Sequence, residues 1–169
     1  MSNEKKAKKS ASAESIIVRT TLITFAALIG LSALFLLLFP LCFPSAAANT
    51  CDRLGMDSAA VRYYKVAYER NKTVENFENY FKKLQETDRN KDLSAMGGDL
   101  LKFDGKLDEY NFTLYAMTVV EAKYETADKD GSAKFAVTVG NTTLNYAKAK
   151  YSDDADYLAL IEKYENDKI

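Results

Sequence analysis

Histidine and tryptophan are absent from this sequence of 169 residues, and cysteine and proline occur only twice each. Without histidine the chain cannot form a Ser–His–Asp triad, a histidine general base or most zinc sites. Two cysteines alone do not make a cysteine-based metal site. We therefore expect a protein that is not an enzyme, with no catalytic residue, no cofactor and no bound metal.

Charged residues are missing from one long stretch, residues 20–43, which is rich in Leu, Ile, Phe and Ala. A helix of about 20 such residues crosses the hydrocarbon core of a bilayer, roughly 30 Å thick. The preceding segment, residues 1–19, contains five Lys and Arg against two Glu, a net charge of +3. Because basic flanks stay on the cytoplasmic side, we predict a cytoplasmic tail over 1–19 and a transmembrane helix over 20–43. The C-terminal region would then lie outside the plasma membrane, in a bacterial cell envelope.

A cleaved signal peptide is the alternative interpretation of the same segment. Pro40 and Pro44 are expected to end the helix, and the small residues Ala46–Ala48 follow, as at a signal-peptidase site. The apolar stretch is longer than the 7–15 residues usual for such a peptide, which favours a retained anchor. Cleavage after Ala48 would instead release a soluble binding protein.

The exported region is predicted to contain a linker over 44–56 and one helical domain over 57–169. From Asn49 onward 18 Lys and Arg face 22 Asp and Glu, a net charge of −4, so we expect no binding to nucleic acid. No proline follows Pro44, which favours uninterrupted helices. The spacing of apolar residues is mostly three and four, so the predicted fold class is all-α.

Individual helices are predicted from caps and apolar stripes. Asp57 or Ser58 is expected to cap a first helix, and Thr73 a second. After a shorter helical stretch, Asp104–Gly105 is expected to turn the chain into a long helix, and a last helix runs from Asp153 to about residue 166. The predicted buried stripe of the long helix consists of Leu107, Tyr110, Leu114, Met117, Val120 and Tyr124.

The sequence of residues 132–151 is compatible with a β-hairpin and with a helix. Phe135, Val137 and Val139 alternate before Gly140–Asn141, which is typical of a β-hairpin. The neighbouring segments are all helical, and Val137 and Leu144 can share a helical stripe, so we predict a helix here.

The helix pairs resemble tetratricopeptide repeats, which place spaced apolar residues and an aromatic in a first helix and a small residue in the second. Met117, Val120 and Tyr124 match the first helix, and Ala133 and Val137 match the second across the turn at Asp130–Gly131. An earlier unit matches with Val61, Tyr64 and Tyr68 followed by Phe77, Phe81 and Leu84, where Phe77 stands in place of the expected small residue.

The two matched units are 56 residues apart instead of the 34 of this repeat, so an irregular segment is expected between them. The resemblance implies a small α-solenoid of antiparallel helix pairs whose faces bind partner proteins. We therefore predict an adaptor or scaffold in a cell-envelope complex. A regulatory subunit of a membrane enzyme or transporter is the alternative.

Candidate contact residues in the exported domain are Tyr63, Tyr68, Tyr110 and Tyr115, because tyrosine combines rigid apolar area with a hydroxyl group. The competing expectation is that these rings pack between helices. Within the predicted membrane helix, Ala26 and Gly30 form a small-xxx-small pair that lets two helices approach closely, with a partner or a second copy of the chain.

Overall fold

The computed structural model describes residues 13–167, which form helices and connecting turns without a β-strand. The basic residues of the tail before residue 13 lie outside the described residues. Two compact units are formed, one ending at Phe43 and one beginning at Pro44. The all-α prediction is confirmed. The helices are α1 (Ala13–Cys42), α2 (Pro44–Arg53), α3 (Asp57–Arg70), α4 (Val74–Glu86), α5 (Asn90–Ala95), α6 (Gly97–Leu100), α7 (Glu109–Glu125), α8 (Lys129–Val139), α9 (Asn141–Lys150) and α10 (Ala155–Asn166), with a 3₁₀ turn at Leu101–Phe103.

Helix α1 is long and apolar enough to cross a membrane over Ser15–Cys42, which has a mean hydropathy of 2.6. These 28 residues extend roughly 42 Å at the rise of an α-helix. A signal sequence has the same character, so length and composition leave both interpretations of this segment open. Pro40 does not end the helix as expected: it lies in the last turn of α1, where a proline removes only one late hydrogen bond.

Helix α2 occupies most of the segment predicted to be a linker. Pro44 takes its first position, where a backbone N–H has no partner within the helix. Ala47 and Ala48 are buried, and α2 packs against α3. The Tyr64 hydroxyl donates a hydrogen bond to Asn49 Oδ1 at 2.7 Å. The helical body of the second unit therefore begins at Pro44 and includes the residues on both sides of Ala48.

Helices α3 and α4 form a pair joined by the short segment 71–73. Thr73 caps α4 as predicted, its side chain accepting a hydrogen bond from the Asn76 N–H. The predicted cap of α3 is wrong by one position: Met56 precedes the helix, no side chain caps it, and Asp57 is its first residue. The side chains predicted to face inward are buried, namely Val61, Tyr64, Tyr68, Phe77, Phe81 and Leu84.

Short helices α5 and α6 and the 3₁₀ turn form the irregular segment expected between the two helix pairs. Leu93, Met96 and Leu100 are buried, and α5 packs against α7. Gly97 lies where this segment meets the rest of the core: a Cβ added there would be 3.1 Å from Val119 Cγ1 and 3.2 Å from Phe135 Cε2. Only a residue without a side chain fits this approach without displacing its neighbours.

Helix α7 buries only part of the stripe predicted for it: Leu107 and Val120 are buried, and Tyr124 packs against the core. Its buried residues are Tyr115, Ala116, Val119, Val120 and Ala122. Tyr110 and Leu114, assigned to the buried stripe, are 76% and 40% exposed. The helix is apolar on more than one side, and packing against α5 and α8 decides which side is buried.

Helices α8 and α9 replace the single helix predicted over 132–151, and the β-hairpin alternative is wrong. The chain breaks at Gly140, whose φ of 123° and ψ of −175° are adopted almost only by glycine. Helix α10 then packs against α8, and Tyr157 and Ile161 are its buried residues. The turn that Gly140–Asn141 indicates does occur, but it joins two helices instead of two strands.

Candidate functional site

The four candidate tyrosines lie in different environments. Tyr110 is exposed, Tyr63 is half-buried, and Tyr68 and Tyr115 are 3% and 2% exposed. The Tyr115 ring lies 4.7 Å from that of Phe81 between centroids, and its hydroxyl donates a hydrogen bond to Glu78 at 2.9 Å. Tyr115 therefore offers a partner no contact area in this conformation. A binding role for each of the four tyrosines stays a prediction, and Tyr63 and Tyr110 are the two that present more surface.

Tyr68 forms part of the wall of a cavity of 230 Å³, which we call the Tyr68 cavity. Residues of α3, α4, α5 and α6, with the segments that join them, line it. Its aromatic and apolar wall comprises Tyr68, Tyr80 and Met96. The two tyrosine rings are stacked, with centroids 6.1 Å apart and an angle of 23° between their planes.

Charged groups surround this aromatic wall. The charged lining residues of the cavity are Asp92, Asp99, Lys72 and the ion pair Lys65–Glu69, whose Nζ and Oε1 atoms lie 3.9 Å apart. The Lys72 Nζ lies 5.6 Å from the centroid of the Tyr68 ring, within the range of a cation–π contact. Three carboxylates and two ammonium groups thus belong to residues that line the cavity.

The Tyr68 hydroxyl is buried, and the Asp99 carboxylate lies next to it as a hydrogen-bond acceptor. Burial, together with the adjacent Asp99 carboxylate, raises the pKa of Tyr68 far above that of a free tyrosine, so the hydroxyl stays protonated. Burial acts to raise the pKa of Asp99, but the ammonium of Lys102 at 2.6 Å outweighs it and holds the pKa below its usual value. A neutral donor and a carboxylate therefore lie side by side at neutral pH.

A second, more open cavity of 510 Å³ lies where α7, α9 and α10 meet. The Tyr124 and Tyr151 rings stack there with centroids 3.8 Å apart. Asp154 caps α10 by accepting from the Tyr157 N–H at 3.0 Å, and it also accepts from Lys129 and from the Tyr124 hydroxyl. These bonds, led by that from Lys129, hold the pKa of Asp154 well below its usual value. Because these groups already have partners, this corner joins helices and offers few free groups to a ligand.

Lys83 is the one buried lysine of the described chain. Its side chain is 7% exposed, and its Nζ lies 2.5 Å from Asp52, 2.8 Å from Asp57 and 3.2 Å from Glu86. The hydrogen bonds to Asp52 and Asp57 raise the pKa of Lys83 above its ordinary value despite burial. These contacts join α2, α3 and α4, so we interpret the group as a structural ion cluster.

The remaining predicted features are simple to locate. Ala26 and Gly30 lie on α1, every described side chain from Ser15 to Leu38 is exposed, and no atom lies within 4 Å of a Cβ added at Gly30. Cys42 and Cys51 are free thiols. Among residues 13–167, no group of three or more Cys, Asp or Glu is placed to hold a metal ion.

The Tyr68 cavity was missed by sequence reasoning because its parts come from separate helices. The one local signal is the spacing of Tyr68 and Lys72, which lie four residues apart near the end of α3. No protein-family model, curated protein or solved structure matches this chain.

Proposed function

We propose that this chain is a single-pass membrane protein whose helical body, residues 44–167, binds a partner protein outside the bacterial plasma membrane as an adaptor or scaffold. Helix α1 is the observation that carries the proposal: its apolar length over Ser15–Cys42 exceeds the thickness of the hydrocarbon core, about 30 Å. The basic tail before it supports a cytoplasmic N-terminus.

The integrity of α2 supports a retained anchor over cleavage after Ala48. Cleavage there would remove half of α2, including the buried Ala47, and would leave Asn49 as a free N-terminus beside Tyr64. The released protein would thus begin inside a packed helix. An uncleaved chain keeps α2 whole and its contacts with α3 intact.

A binding role is favoured over catalysis by the sequence itself, which has no histidine and only two cysteines. The helix pairs α3–α4 and α7–α8 are the segments that resemble tetratricopeptide repeats, and we propose that they form a short solenoid of this kind. Exposed aromatic and apolar residues such as Tyr110 and Leu114 give such a surface contact area.

The test is to crosslink the full-length, C-terminally tagged protein in intact cells, extract it in mild detergent and identify what co-purifies by mass spectrometry. We expect a reproducible envelope protein in the eluate. An eluate that contains only this chain would contradict the adaptor proposal. The same sample gives the N-terminus of the purified protein: full-length chain in the membrane fraction is expected, and a chain starting at Asn49 in the medium would establish the secreted alternative.

The regulatory-subunit alternative is tested at α1. Gly30→Leu enlarges the side chain at the small-xxx-small pair of α1 and leaves the sequence of residues 44–167 unchanged. We expect the adaptor to keep its partner in this variant. Loss of the partner would show that the membrane helix, through Ala26 and Gly30, carries the association instead.

A further inference from the structure

The turn between α2 and α3, residues 53–56, carries two large apolar side chains in solvent, and we call it the α2–α3 corner. The side chains of Leu54 and Met56 are 68% and 52% exposed. Of the large apolar side chains in residues 44–167, only that of Tyr110 is more exposed than these two. Single exposed apolar residues are ordinary on a protein surface, but two at one turn form a patch that another apolar surface can cover.

The corner has a defined backbone structure. Gly55 has a φ of 68°, the left-handed conformation in which glycine commonly ends a helix. The Gly55 N–H donates to the Asp52 carbonyl oxygen at 3.0 Å, and the Met56 N–H donates to the Cys51 carbonyl oxygen at 2.8 Å. These two bonds are the Schellman pattern of a helix end. The corner can therefore meet an apolar surface without burying these N–H groups unpaired.

The charges beside the corner differ in how they are paired. Asp52 and Asp57 both bind the Lys83 ammonium, with distances of 2.5 and 2.8 Å from its Nζ to the carboxylate oxygens. Arg53 is exposed, and it forms no ion pair within residues 13–167. A guanidinium next to exposed apolar side chains fits the boundary of a bilayer, where phosphate groups lie directly above hydrocarbon.

Chain connectivity limits the distance between the corner and the membrane. Cys42 ends α1, only Phe43 follows before α2 begins, and the 10 residues of α2 make about 15 Å of helix. The end of α2 at Arg53 can therefore lie no more than about 20 Å from the end of α1, whichever way the body turns. A tethered contact needs little affinity of its own, because the tether sets a high effective concentration. The bilayer around α1 is thus the apolar surface for which the corner needs the least affinity.

We propose that the α2–α3 corner inserts Leu54 and Met56 into the headgroup layer of the bilayer that holds α1, with Arg53 binding a lipid phosphate. This inference rests on the proposed function, because it requires α1 to stay in the membrane. The contact restricts the directions in which the helical body can stand on the membrane. It uses neither of the α7 residues, Tyr110 and Leu114, that we propose for the partner protein.

Met56 is itself a probe, because it lies in the corner, whereas Met117 on α7 and the buried Met96 lie elsewhere in the body. Full-length protein labelled with ¹³C at the methionine methyl groups is reconstituted in nanodiscs of phosphatidylcholine and phosphatidylglycerol and studied by NMR. One sample contains phospholipid with a nitroxide near the top of an acyl chain, and another contains a gadolinium chelate dissolved in the water. The nitroxide broadens the signals of methyl groups at the bilayer boundary, and the chelate broadens those of methyl groups in water.

We expect the nitroxide to broaden the Met56 signal strongly and those of Met96 and Met117 little. Leu54→Asp removes the transfer of one leucine side chain from water, which lowers the ratio of inserted to free corner roughly tenfold. The broadening of Met56 by the nitroxide should fall accordingly, and its broadening by the chelate should rise. Arg53→Gln should lower the same ratio about fivefold, the effect of one basic residue at an anionic membrane surface.

Both corner side chains are exposed, so these variants are expected to fold. The matched control is Leu114→Asp, which places the same charge at an exposed position of α7 and should leave the broadening of Met56 unchanged.

Two outcomes would overturn the inference: a Met56 signal that the chelate broadens and the nitroxide does not, or equal broadening of Met56 in wild type and in Leu54→Asp. A Met56 signal protected from both agents would also overturn it, because protein then covers the corner. Failure of the adaptor proposal looks different: Met56 is broadened in nanodiscs, but no partner is crosslinked in cells. A chain that begins at Asn49 in cells has lost the anchor and overturns both proposals.

Discussion

Lys83→Met is the substitution that tests most directly how the helical body is held together. Methionine keeps most of the aliphatic stem and the volume of lysine but removes the ammonium group. Asp52, Asp57 and Glu86 then lose their shared cation, and the three carboxylates repel one another. Because these residues belong to α2, α3 and α4, the change should loosen the contacts among all three helices.

The magnitude follows from how exposed each partner is. Asp52 is 37% exposed and lies 2.5 Å from Lys83, so its hydrogen bond with a buried cation contributes about 1.5–3 kcal/mol. Asp57 and Glu86 are 59% and 63% exposed, so each contributes at most about 0.5 kcal/mol. Restoring the apolar character of a buried position offsets part of this loss. We expect Lys83→Met to lower the free energy of unfolding by about 2 kcal/mol.

The assay is thermal unfolding of the full-length protein in detergent, followed by far-UV circular dichroism. For a body of this size, 2 kcal/mol corresponds to a decrease in Tm of roughly 6–10 °C. Lys82→Met is the matched control: this neighbour is 55% exposed, its Nζ lies 4.0 Å from Glu78, and the change in stability should stay below about 0.5 kcal/mol.

The pH dependence has a definite sign. The pKa of Lys83 is raised in the folded state, so its contribution is complete below the pKa of an unfolded lysine, about 10.4, and is lost as the pH rises through the folded value. The difference between wild type and Lys83→Met should therefore not change on raising the pH from 7 to 9. A Tm of Lys83→Met equal to or above that of wild type would refute the reasoning. Burial of the ammonium would then destabilise the fold by at least as much as its ion pairs stabilise it.

Four further substitutions test other parts of the fold. Gly97→Ala should lower the free energy of unfolding by about 1 kcal/mol, because the added methyl group crowds two buried side chains. Gly98→Ala is the matched control and should stabilise the fold slightly, because there is open space next to Gly98. Urea denaturation measures both changes, and equal effects would contradict the packing argument. Gly140→Ala should destabilise by about 1–3 kcal/mol because alanine does not adopt this backbone conformation; an unchanged urea midpoint would mean that the break tolerates a side chain. Asp154→Asn should lower Tm at pH 7. Because the folded pKa of Asp154 is depressed, the deficit should begin to shrink as the pH falls below about 4 and should keep shrinking as the pH approaches the folded value. A deficit as large at pH 2 as at pH 7 would show that charge is not its cause.

Strong periodicity made much of the helical body predictable from sequence. The faces of α3 and α4 alternate cleanly between apolar and polar residues, and a threonine cap marks the start of α4, so their buried residues and turn were predicted correctly. Helix α1 was predictable because no charged residue lies between Arg19 and Asp52. In each case one local pattern decides the structure without help from the rest of the fold.

Helix α2 escaped prediction because its buried residues carry little signal. Ala47 and Ala48 are the only buried residues, and two adjacent alanines do not make an apolar stripe. Its stability comes from contacts that sequence does not display, such as Asp52 with Lys83 and Asn49 with Tyr64. The stripe predicted for α7 was only partly right for the opposite reason, since that helix has apolar residues on several sides.

The Tyr68 cavity shows why candidate contacts are harder to predict than helices. Composition singled out tyrosines as a class, but burial separates Tyr110 from Tyr115, and burial is set by helices distant in sequence. Tyr68 was named as a candidate, yet its significance depends on Asp99 and Met96, which reach it only through the folding of α5 and α6. No periodic pattern in the sequence indicates that Tyr68, Met96 and Asp99 come together.

If α1 is held in a membrane and the body binds a partner, as we propose, helix α2 is the part of the body that takes up mechanical load first. Only Phe43 separates it from α1, so any tension between a membrane-held α1 and a partner held by the body must pass through α2. The contacts that hold α2 against the rest of the body are those of the buried alanines, the Asn49–Tyr64 hydrogen bond and the Asp52–Lys83 ion pair. Under pulling, survival is set by the rate of unfolding and not by equilibrium stability. Detachment of α2 is thus the event that would decide how long a tethered complex withstands force.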